Sequence, residues 1–142
     1  MDMKQLTIGT IIGGVTLYVT GYVLFDLLAG DFYAANINAA PGLMRDTQVM
    51  WAMALGNLAL ALLITIGMVS AAGPITMASG AKTGAIYAFL AWMSADFILY
   101  GILNLTTLNL VGADAVLEPV HGGISGAVIA IALSKLPKTA TA

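Results

Sequence analysis

The chain has 142 residues, of which 60% are hydrophobic and 8% are charged, and its net charge at neutral pH is −2. A mean hydropathy of +0.96 leaves room for one domain and little water-soluble sequence. The chain contains no cysteine, which excludes disulfide exchange, thiolate catalysis and cysteine-ligated clusters. It also lacks the clustered Lys and Arg of a nucleic-acid-binding surface, so we expect no nucleic-acid partner.

Four apolar runs predict four transmembrane helices, at about residues 6–29, 49–72, 82–105 and 115–136. A helix needs about 20 apolar residues to cross a bilayer core of about 30 Å. Residues 58–64 are continuously apolar, whereas transmembrane β-strands alternate apolar and polar positions. We therefore predict an all-α integral membrane bundle, with residues 1–142 in one domain and the four helices in up-down-up-down order.

The basic residues predict the orientation of this bundle. Four spans place both termini on one side of the membrane, together with Lys4, Lys82, Lys135 and Lys138, while Arg45 lies on the other. Because cytoplasmic loops carry the excess of Lys and Arg, we expect both termini in the cytoplasm. Most acidic residues then lie in the outer half, where negative charge attracts cations. In the first outer loop we predict a short interfacial helix over residues 31–39.

Each predicted span carries one polar stripe in its outer half, formed by residues three or four positions apart, which share a helix face. The stripes are Tyr18, Tyr22 and Asp26 in the first span, Asn57 in the second, Trp92, Asp96, Tyr100 and Asn104 in the third, and Glu118, His121 and Ser125 in the fourth. Their common depth predicts that they converge on one polar cavity. Asp26 and Glu118 also lie near enough to span ends to reach the lipid head groups or to cap a helix.

Asp96 is the deepest acidic residue of the predicted spans. A charged side chain at the bilayer centre costs about 2.5–3.5 kcal/mol even on insertion scales. We therefore expect Asp96 to face the bundle interior and to be protonated, hydrated or paired, with His121, Tyr22 and Asn57 as the candidate partners.

His121 is the only histidine, and it follows Pro119 in what we predict to be the first turn of the last helix. Three interpretations remain open for it: a hydrogen bond that steadies the helix entrance, proton or cation handling, and cofactor ligation. A single histidine cannot provide bis-histidine haem ligation within one chain. We predict no resident metal, no cofactor and no catalytic residue.

Three Gly-x-x-x-Gly motifs begin at Gly9, Gly80 and Gly122. Such spacing lets helix backbones approach closely in membranes. The motifs therefore predict tight packing within the bundle or contacts between subunits.

Two short motifs give the chain a family resemblance. Asp31-Phe32-Tyr33 after the first span, and the run from Tyr100 to Leu108 with Asn104-Leu105-Thr106-Thr107, resemble small four-helix bacterial membrane proteins of uncharacterised domain families. In those proteins an acid often follows the tyrosine, where this chain has Gly101, and an acid near Trp-Gly opens the last helix, where this chain has Glu118 and His121-Gly122. The resemblance implies a bacterial inner-membrane protein without an established activity.

The polar stripes favour a non-enzymatic protein that binds or transports a small cation or a proton-linked ligand in an outward-facing cavity. The predicted ligand-binding residues are Asp96, Asp26, Asn57, Glu118, His121, Tyr22, Trp92, Tyr100 and Asn104. One alternative is an accessory subunit of a larger respiratory or photosynthetic membrane complex, and another is a membrane-embedded enzyme that acts on a lipid or quinone. The expected surroundings are the bilayer and either a homo-oligomer or a larger complex.

Overall fold

The computed structural model describes residues 2–38 and 45–136, and helices dominate both ranges. The elements are α1 (Met3–Gly21), a π-helical segment that continues it (Tyr22–Leu28), α2 (Gly30–Asn36), α3 (Met50–Ser70), α4 (Met77–Ile102) and α5 (Leu108–Ser134). No β-strand occurs in these two ranges. Four helices, counting α1 and the π segment as one, are long and apolar enough to cross a membrane. The predicted all-α fold with four membrane helices is confirmed.

The last two membrane helices begin earlier than hydropathy predicts. α4 begins at Met77 rather than near residue 82, behind an N-terminal cap in which Thr76 and Ser79 exchange side-chain and backbone hydrogen bonds. A polar side chain at such a position satisfies backbone N–H groups that have no partner within the helix. These capping residues lie in polar stretches, which a hydropathy pattern assigns to loops.

α5 begins at Leu108 rather than near residue 115, because the Thr107 side chain accepts a hydrogen bond from the backbone N–H of Leu110 at 3.4 Å. This start corrects the predicted position of His121. Both Pro119 and His121 lie in the interior of α5, more than two turns beyond its first residue. A helix-entrance role for His121 is therefore wrong.

Glycines bring α4 and α5 into backbone contact. A Cβ atom added at Gly84 would collide with the carbonyl of Gly122, and one added at Gly126 would collide with the carbonyl of Gly80. The Gly9 motif also packs within the chain, because Gly9 faces Thr65 and Gly13 faces Ile129. All three Gly-x-x-x-Gly motifs thus serve helix packing inside the bundle.

The hydrophobic core lies toward the end of the bundle where α1 begins and α5 ends. Its fully buried members include Leu17, Ile64 and Ile129, with Ala61 and Ala130 between them. Two buried hydroxyl groups donate to backbone carbonyls nearby, Ser125 to Gly13 at 3.2 Å and Thr65 to Ala61 at 2.7 Å. The bundle is therefore closely packed at this end.

The opposite end is covered by α2, and we call it the α2 end. The Tyr33 hydroxyl donates to Asp114 on α5, and the Asn109 side-chain amide donates to the Asn36 carbonyl oxygen at 3.0 Å. The backbone N–H of Asn38 donates to the carbonyl of Leu105 at 3.0 Å. α2 corresponds to the short helix predicted over 31–39, of which residue 39 lies outside the described part of the chain.

Candidate functional site

A cavity of about 940 Å³ lies among the four membrane helices at the α2 end. The last third of α1, the π segment, α2, the first half of α3, the second half of α4 and the first half of α5 all contribute to its lining. A volume of this size is typical of small-molecule sites, which hold about 300–1,000 Å³. The cavity is therefore large enough for a ligand with more than a few heavy atoms.

Ionisable groups line the part of the cavity next to α2. They are Asp26 of the π segment together with Asp114, Glu118 and His121 of α5. The π segment contributes Asp26 to the lining, and the ring of its Phe25 contacts His121 of α5. Short π-helical segments within α-helices occur frequently at functional sites, and this segment contributes three of the lining side chains, including Tyr22 and Phe25.

Aromatic side chains surround these ionisable groups. The lining includes Tyr18, Tyr22, Phe25, Tyr33 and Trp92. The Phe25 ring meets the Tyr33 ring edge-to-face at 5.8 Å between centroids, and the His121 ring in the same manner at 5.4 Å. Such edge-to-face pairs hold the rings in defined orientations. Phe25 therefore contacts both Tyr33 and His121 in the cavity lining.

Apart from the side-chain amides of Gln48 and Asn57, the rest of the cavity lining is apolar. On α3 it is formed by Gly56, Ala59, Leu60 and Leu63, and on α4 Ala91 and Ala95 stand on either side of Trp92. A Cβ atom added at Gly56 would meet nothing within 4 Å, so the space beside α3 is open. The site thus joins a charged, aromatic part to an apolar part.

His121 and Glu118 form a buried pair on α5, one turn apart. His121 Nε2 lies 2.9 Å from the Leu17 carbonyl oxygen, and Nδ1 lies 3.3 Å from Oε2 of Glu118. A carbonyl oxygen only accepts hydrogen bonds, so Nε2 carries a proton. A second proton between Nδ1 and Oε2 would make this contact a hydrogen bond. It would also make the pair neutral, because imidazolium with carboxylate and imidazole with carboxylic acid have the same total charge.

Asp96 and Asp114 form a second pair, between α4 and α5. The side chains are close enough for a hydrogen bond between the two carboxyl groups. Asp96 is 6% exposed, and its buried Oδ2 receives no hydrogen bond from any donor in the described residues. Asp114 lines the cavity, whereas Asp96 does not. Asp96 is thus connected to the cavity through another acid.

Tyr33 links this acidic pair to α2, outside the membrane-spanning helices. Its hydroxyl donates to Oδ1 of Asp114. Burial, followed by this hydrogen bond and the negative charge of Asp114, raises the pKa of the Tyr33 phenol above its usual value. Tyr33 therefore remains a neutral hydrogen-bond donor over the physiological pH range.

Six of the residues predicted from the sequence line the cavity: Tyr22, Asp26, Asn57, Trp92, Glu118 and His121. Asp96 is buried next to the cavity, and its neighbouring acid is Asp114 rather than any of the three partners predicted for it. Tyr100 and Asn104 are exposed and do not contribute to the lining. Asn57 lines the cavity but donates its side-chain amide to the Met53 carbonyl on its own helix, at 2.9 Å.

Sequence reasoning missed Asp114, Tyr33 and Phe25 as lining residues. Asp114 precedes Glu118 by four positions and so belongs to the same helix face, but the late predicted start of the last helix assigned Asp114 to a loop. Tyr33 lies 81 positions from its partner Asp114, a separation over which no periodic pattern extends. No signal in the sequence pairs these two residues.

Comparison of the chain with protein-family models, with curated proteins and with solved structures finds no match. The resemblance to uncharacterised four-helix bacterial membrane proteins therefore stays a prediction. Within residues 2–38 and 45–136, no three His, Asp or Glu side chains are grouped so that they could hold a metal ion. The shape, charge and aromatic lining of the cavity are therefore the features that indicate a function.

Proposed function

We propose that this chain is an integral membrane protein that binds an amphipathic cation in the cavity at the α2 end. The cationic head lies against the acidic and aromatic side chains of the π segment and α5, and the apolar part lies against α3 and α4. The observation that carries this proposal is the combination of five aromatic rings and three carboxyl groups in one largely apolar cavity.

The charge of the site favours a cation over an anion. The Glu118–His121 pair contributes no net charge when its two members share one proton between Nδ1 and Oε2. Asp26 and Asp114 supply the remaining ionisable groups of the lining. A cavity whose only uncompensated groups are acids concentrates positive ligands and repels negative ones.

The aromatic lining favours a quaternary ammonium head in particular. A cation within about 6 Å of an aromatic ring face gains about 0.5–2 kcal/mol, and quaternary ammonium groups are typical ligands of aromatic cages. Tyr22, Phe25 and Tyr33 line the same cavity as the carboxyl groups, and Tyr33 donates directly to Asp114. A quaternary head could thus contact ring faces and acids together.

The apolar walls favour an amphipathic cation over the small cation predicted from the sequence. A hydrated ion gains nothing from Gly56, Leu60, Leu63 and Ala95, whereas each buried CH₂ group of an alkyl chain contributes about 0.8 kcal/mol. An amphipathic ligand therefore uses the whole cavity. We propose binding of such a molecule and not free passage of an inorganic ion.

The charge distribution supports an outward-facing cavity. Lys4 is near the start of α1, Lys82 is in the second turn of α4 and Lys135 directly follows α5. The cavity is built from the other ends of these three helices. Under the positive-inside rule the cavity then opens toward the outer leaflet, and the resemblance stated above suggests a bacterial inner membrane.

The packing of the glycine motifs argues against the accessory-subunit alternative. The glycine motifs that would have met a partner pack α4 against α5 and α1 against α3 and α5. The lipid- or quinone-enzyme alternative shares the cavity but does not need its negative charge. The ligand's charge therefore distinguishes these hypotheses.

Native mass spectrometry of the protein released from non-ionic micelles tests the proposal with dodecyltrimethylammonium as the probe. We expect a complex with one probe molecule per chain, and much weaker binding of dodecanoate, which has a matched tail, and of tetramethylammonium, which has no tail. Equal binding of dodecanoate would overturn the cationic specificity. Equal binding of tetramethylammonium would overturn the role of the apolar walls.

Asp26→Asn is the matched variant for this experiment, because Asp26 is exposed within the cavity and forms no side-chain hydrogen bond that would be lost on substitution. We expect it to weaken dodecyltrimethylammonium binding about tenfold, which corresponds to about 1.4 kcal/mol. Asp31→Asn, on the exposed face of α2 outside the cavity lining, is the control and should bind like the wild type. Equal weakening by both variants would indicate a non-specific surface charge effect and contradict the proposal.

A further inference from the structure

We propose that Asp96 and Asp114 form a buried proton-binding site that holds one proton between them and releases it when a cation binds beside Asp114. The site adjoins the cavity, because Asp114 lines it and Asp96 does not. The site binds a proton. Release of this proton makes binding of the amphipathic cation depend on pH. The release step rests on the proposed function, whereas the proton site itself does not.

The position of the pair in the bundle favours a shared proton while no cation is bound. Asp96 precedes the end of α4 at Ile102 by six residues, and Asp114 follows the start of α5 at Leu108 by six residues. At 1.5 Å per residue, each acid is about 9 Å from the end of its helix. An ionised carboxylate at such depth is costly, and two in contact repel each other as well.

The hydrogen bonding of Asp96 also favours a bound proton. Oδ2 of Asp96 is buried and receives no donor from the described residues, while Asp96 as a whole is 6% exposed. A buried acceptor without a donor costs about 1–3 kcal/mol. A proton on one carboxyl turns the contact between two acceptors into a donor–acceptor hydrogen bond. Protonation of Asp96 removes the charge from a carboxyl group whose Oδ2 has no donor in the described residues to stabilise it.

Within the described residues, no basic side chain forms an ion pair that would neutralise these two acids. The titratable side chains that interact with it are Tyr33 from α2 and Glu118 from α5, and His121 is engaged with Glu118. None of the lysines and arginine in the described residues forms a salt bridge with Asp96 or Asp114. The tyrosine hydroxyl donates one hydrogen bond but carries no charge. A proton is therefore the cation that fits this position.

Asp114 connects the proton site to the cavity. It touches Asp96 on one side and lines the cavity on the other. A quaternary ammonium group beside Asp114 favours its ionised form, so it competes with the shared proton. Before binding, the species are Asp96–COOH, Asp114–COO⁻ and the free cation. After binding, both side chains are carboxylates, the cation is bound beside Asp114, and one proton has passed to water.

Infrared spectroscopy of the protein without added ligand tests the proton site. At pH 7 we expect a C=O stretching band of a protonated carboxylic acid that shifts in D₂O and disappears in both Asp96→Asn and Asp114→Asn. The asparagine amide can donate to the remaining carboxylate, so these variants keep a hydrogen bond between α4 and α5. Glu118→Gln, the control for the neighbouring pair, should retain this band. Absence of the band, or its loss only in Glu118→Gln, would overturn the proposal.

Calorimetry then tests the link to the ligand. Titration with dodecyltrimethylammonium, which has no titratable proton, is repeated in buffers of different ionisation enthalpy to count released protons. We expect proton release near neutral pH in the wild type and its loss in Asp96→Asn, with binding retained. Binding without release would overturn the link. An infrared band without any binding would leave the proton site standing and overturn the proposed function instead.

Discussion

Nε2 of His121 lies 2.9 Å from the carbonyl oxygen of Leu17, so the interior of α5 is hydrogen-bonded to α1 just before α1 becomes π-helical. The second ring nitrogen meets Glu118. Both nitrogens are therefore used in holding one wall of the cavity, and the ring also contacts Phe25 edge-to-face. Both ring nitrogens of this buried histidine therefore have partners within the described residues.

Replacement of His121 by alanine should destabilise the bundle. The change leaves the Leu17 carbonyl and the Glu118 carboxyl without their partner, and loss of one member of a buried pair costs about 3–5 kcal/mol. Denaturant unfolding in micelles measures this loss. The double variant His121→Ala/Glu118→Gln should be less destabilised than the sum of the two single variants, because the pair acts as a unit. Strict additivity would show that the two side chains do not interact.

Tyr33→Phe should remove the part of the pH dependence of folding stability that comes from the Tyr33 phenol. The pKa of the Tyr33 phenol is raised above the ordinary value of about 10, mainly by burial and then by its hydrogen bond to Asp114. The stabilisation by this proton is therefore fully present below about pH 10 and is lost as pH rises through the higher pKa of the folded protein. Tyrosinate absorbance measures the titration.

The informative quantity is the difference in absorbance between the wild type and Tyr33→Phe. We expect this difference to develop only above about pH 10, the usual tyrosine value. Tyr100, which is exposed and outside the cavity, provides a matched Tyr100→Phe control that keeps the α2 contact. A Tyr33 component that titrates at or below the usual value would contradict the buried hydrogen bond to Asp114.

Gly84→Ala should separate α4 from α5. Its new Cβ would collide with the Gly122 carbonyl, and overpacking of this kind costs about 1–3 kcal/mol. Gly112→Ala is the matched control, because a Cβ at Gly112 on the same helix pair meets nothing within 4 Å. We expect a lower Tm for the first variant and a Tm at or above the wild-type value for the second. Equal Tm values would show that the helices do not approach as described.

Gly56→Phe should fill the cavity without disturbing the fold. Gly56 lines the cavity, and the space beside it is free within 4 Å. We expect dodecyltrimethylammonium affinity to fall by more than about tenfold, or about 1.4 kcal/mol, with the Tm unchanged. Gly101→Phe adds the same ring at an open position outside the cavity and should bind normally. Normal binding by Gly56→Phe would place the ligand elsewhere.

The sequence predicts the four membrane helices and much of the cavity for a simple physical reason. Long apolar runs are required to cross a bilayer, and polar residues at helical spacing share a face. This periodicity identified Tyr22, Asp26, Glu118 and His121, which do line one cavity. Local patterns are therefore sufficient where one helix face determines the position of a side chain.

The remaining features depend on contacts between distant segments or on polar helix starts. The cap at Thr107 extends α5 through a stretch that hydropathy assigns to a loop, and this hid Asp114. The predicted partners of Asp96 were wrong because they came from the polar stripes of the predicted spans, which exclude Asp114, whereas the structure places Asp114 next to Asp96. Tyr33 reaches the site only because α2 folds back onto α5.

The most direct test of the central claim is a crystal structure with dodecyltrimethylarsonium, whose arsenic atom gives an anomalous signal in place of the ammonium nitrogen. We expect one anomalous peak in the cavity, within about 6 Å of an aromatic ring formed by Tyr22, Phe25 or Tyr33, next to Asp26 or Asp114, with the alkyl chain running toward Leu60 and Leu63. A peak outside the cavity, or a cavity occupied by the tail with the arsenic away from the acids, would contradict the account.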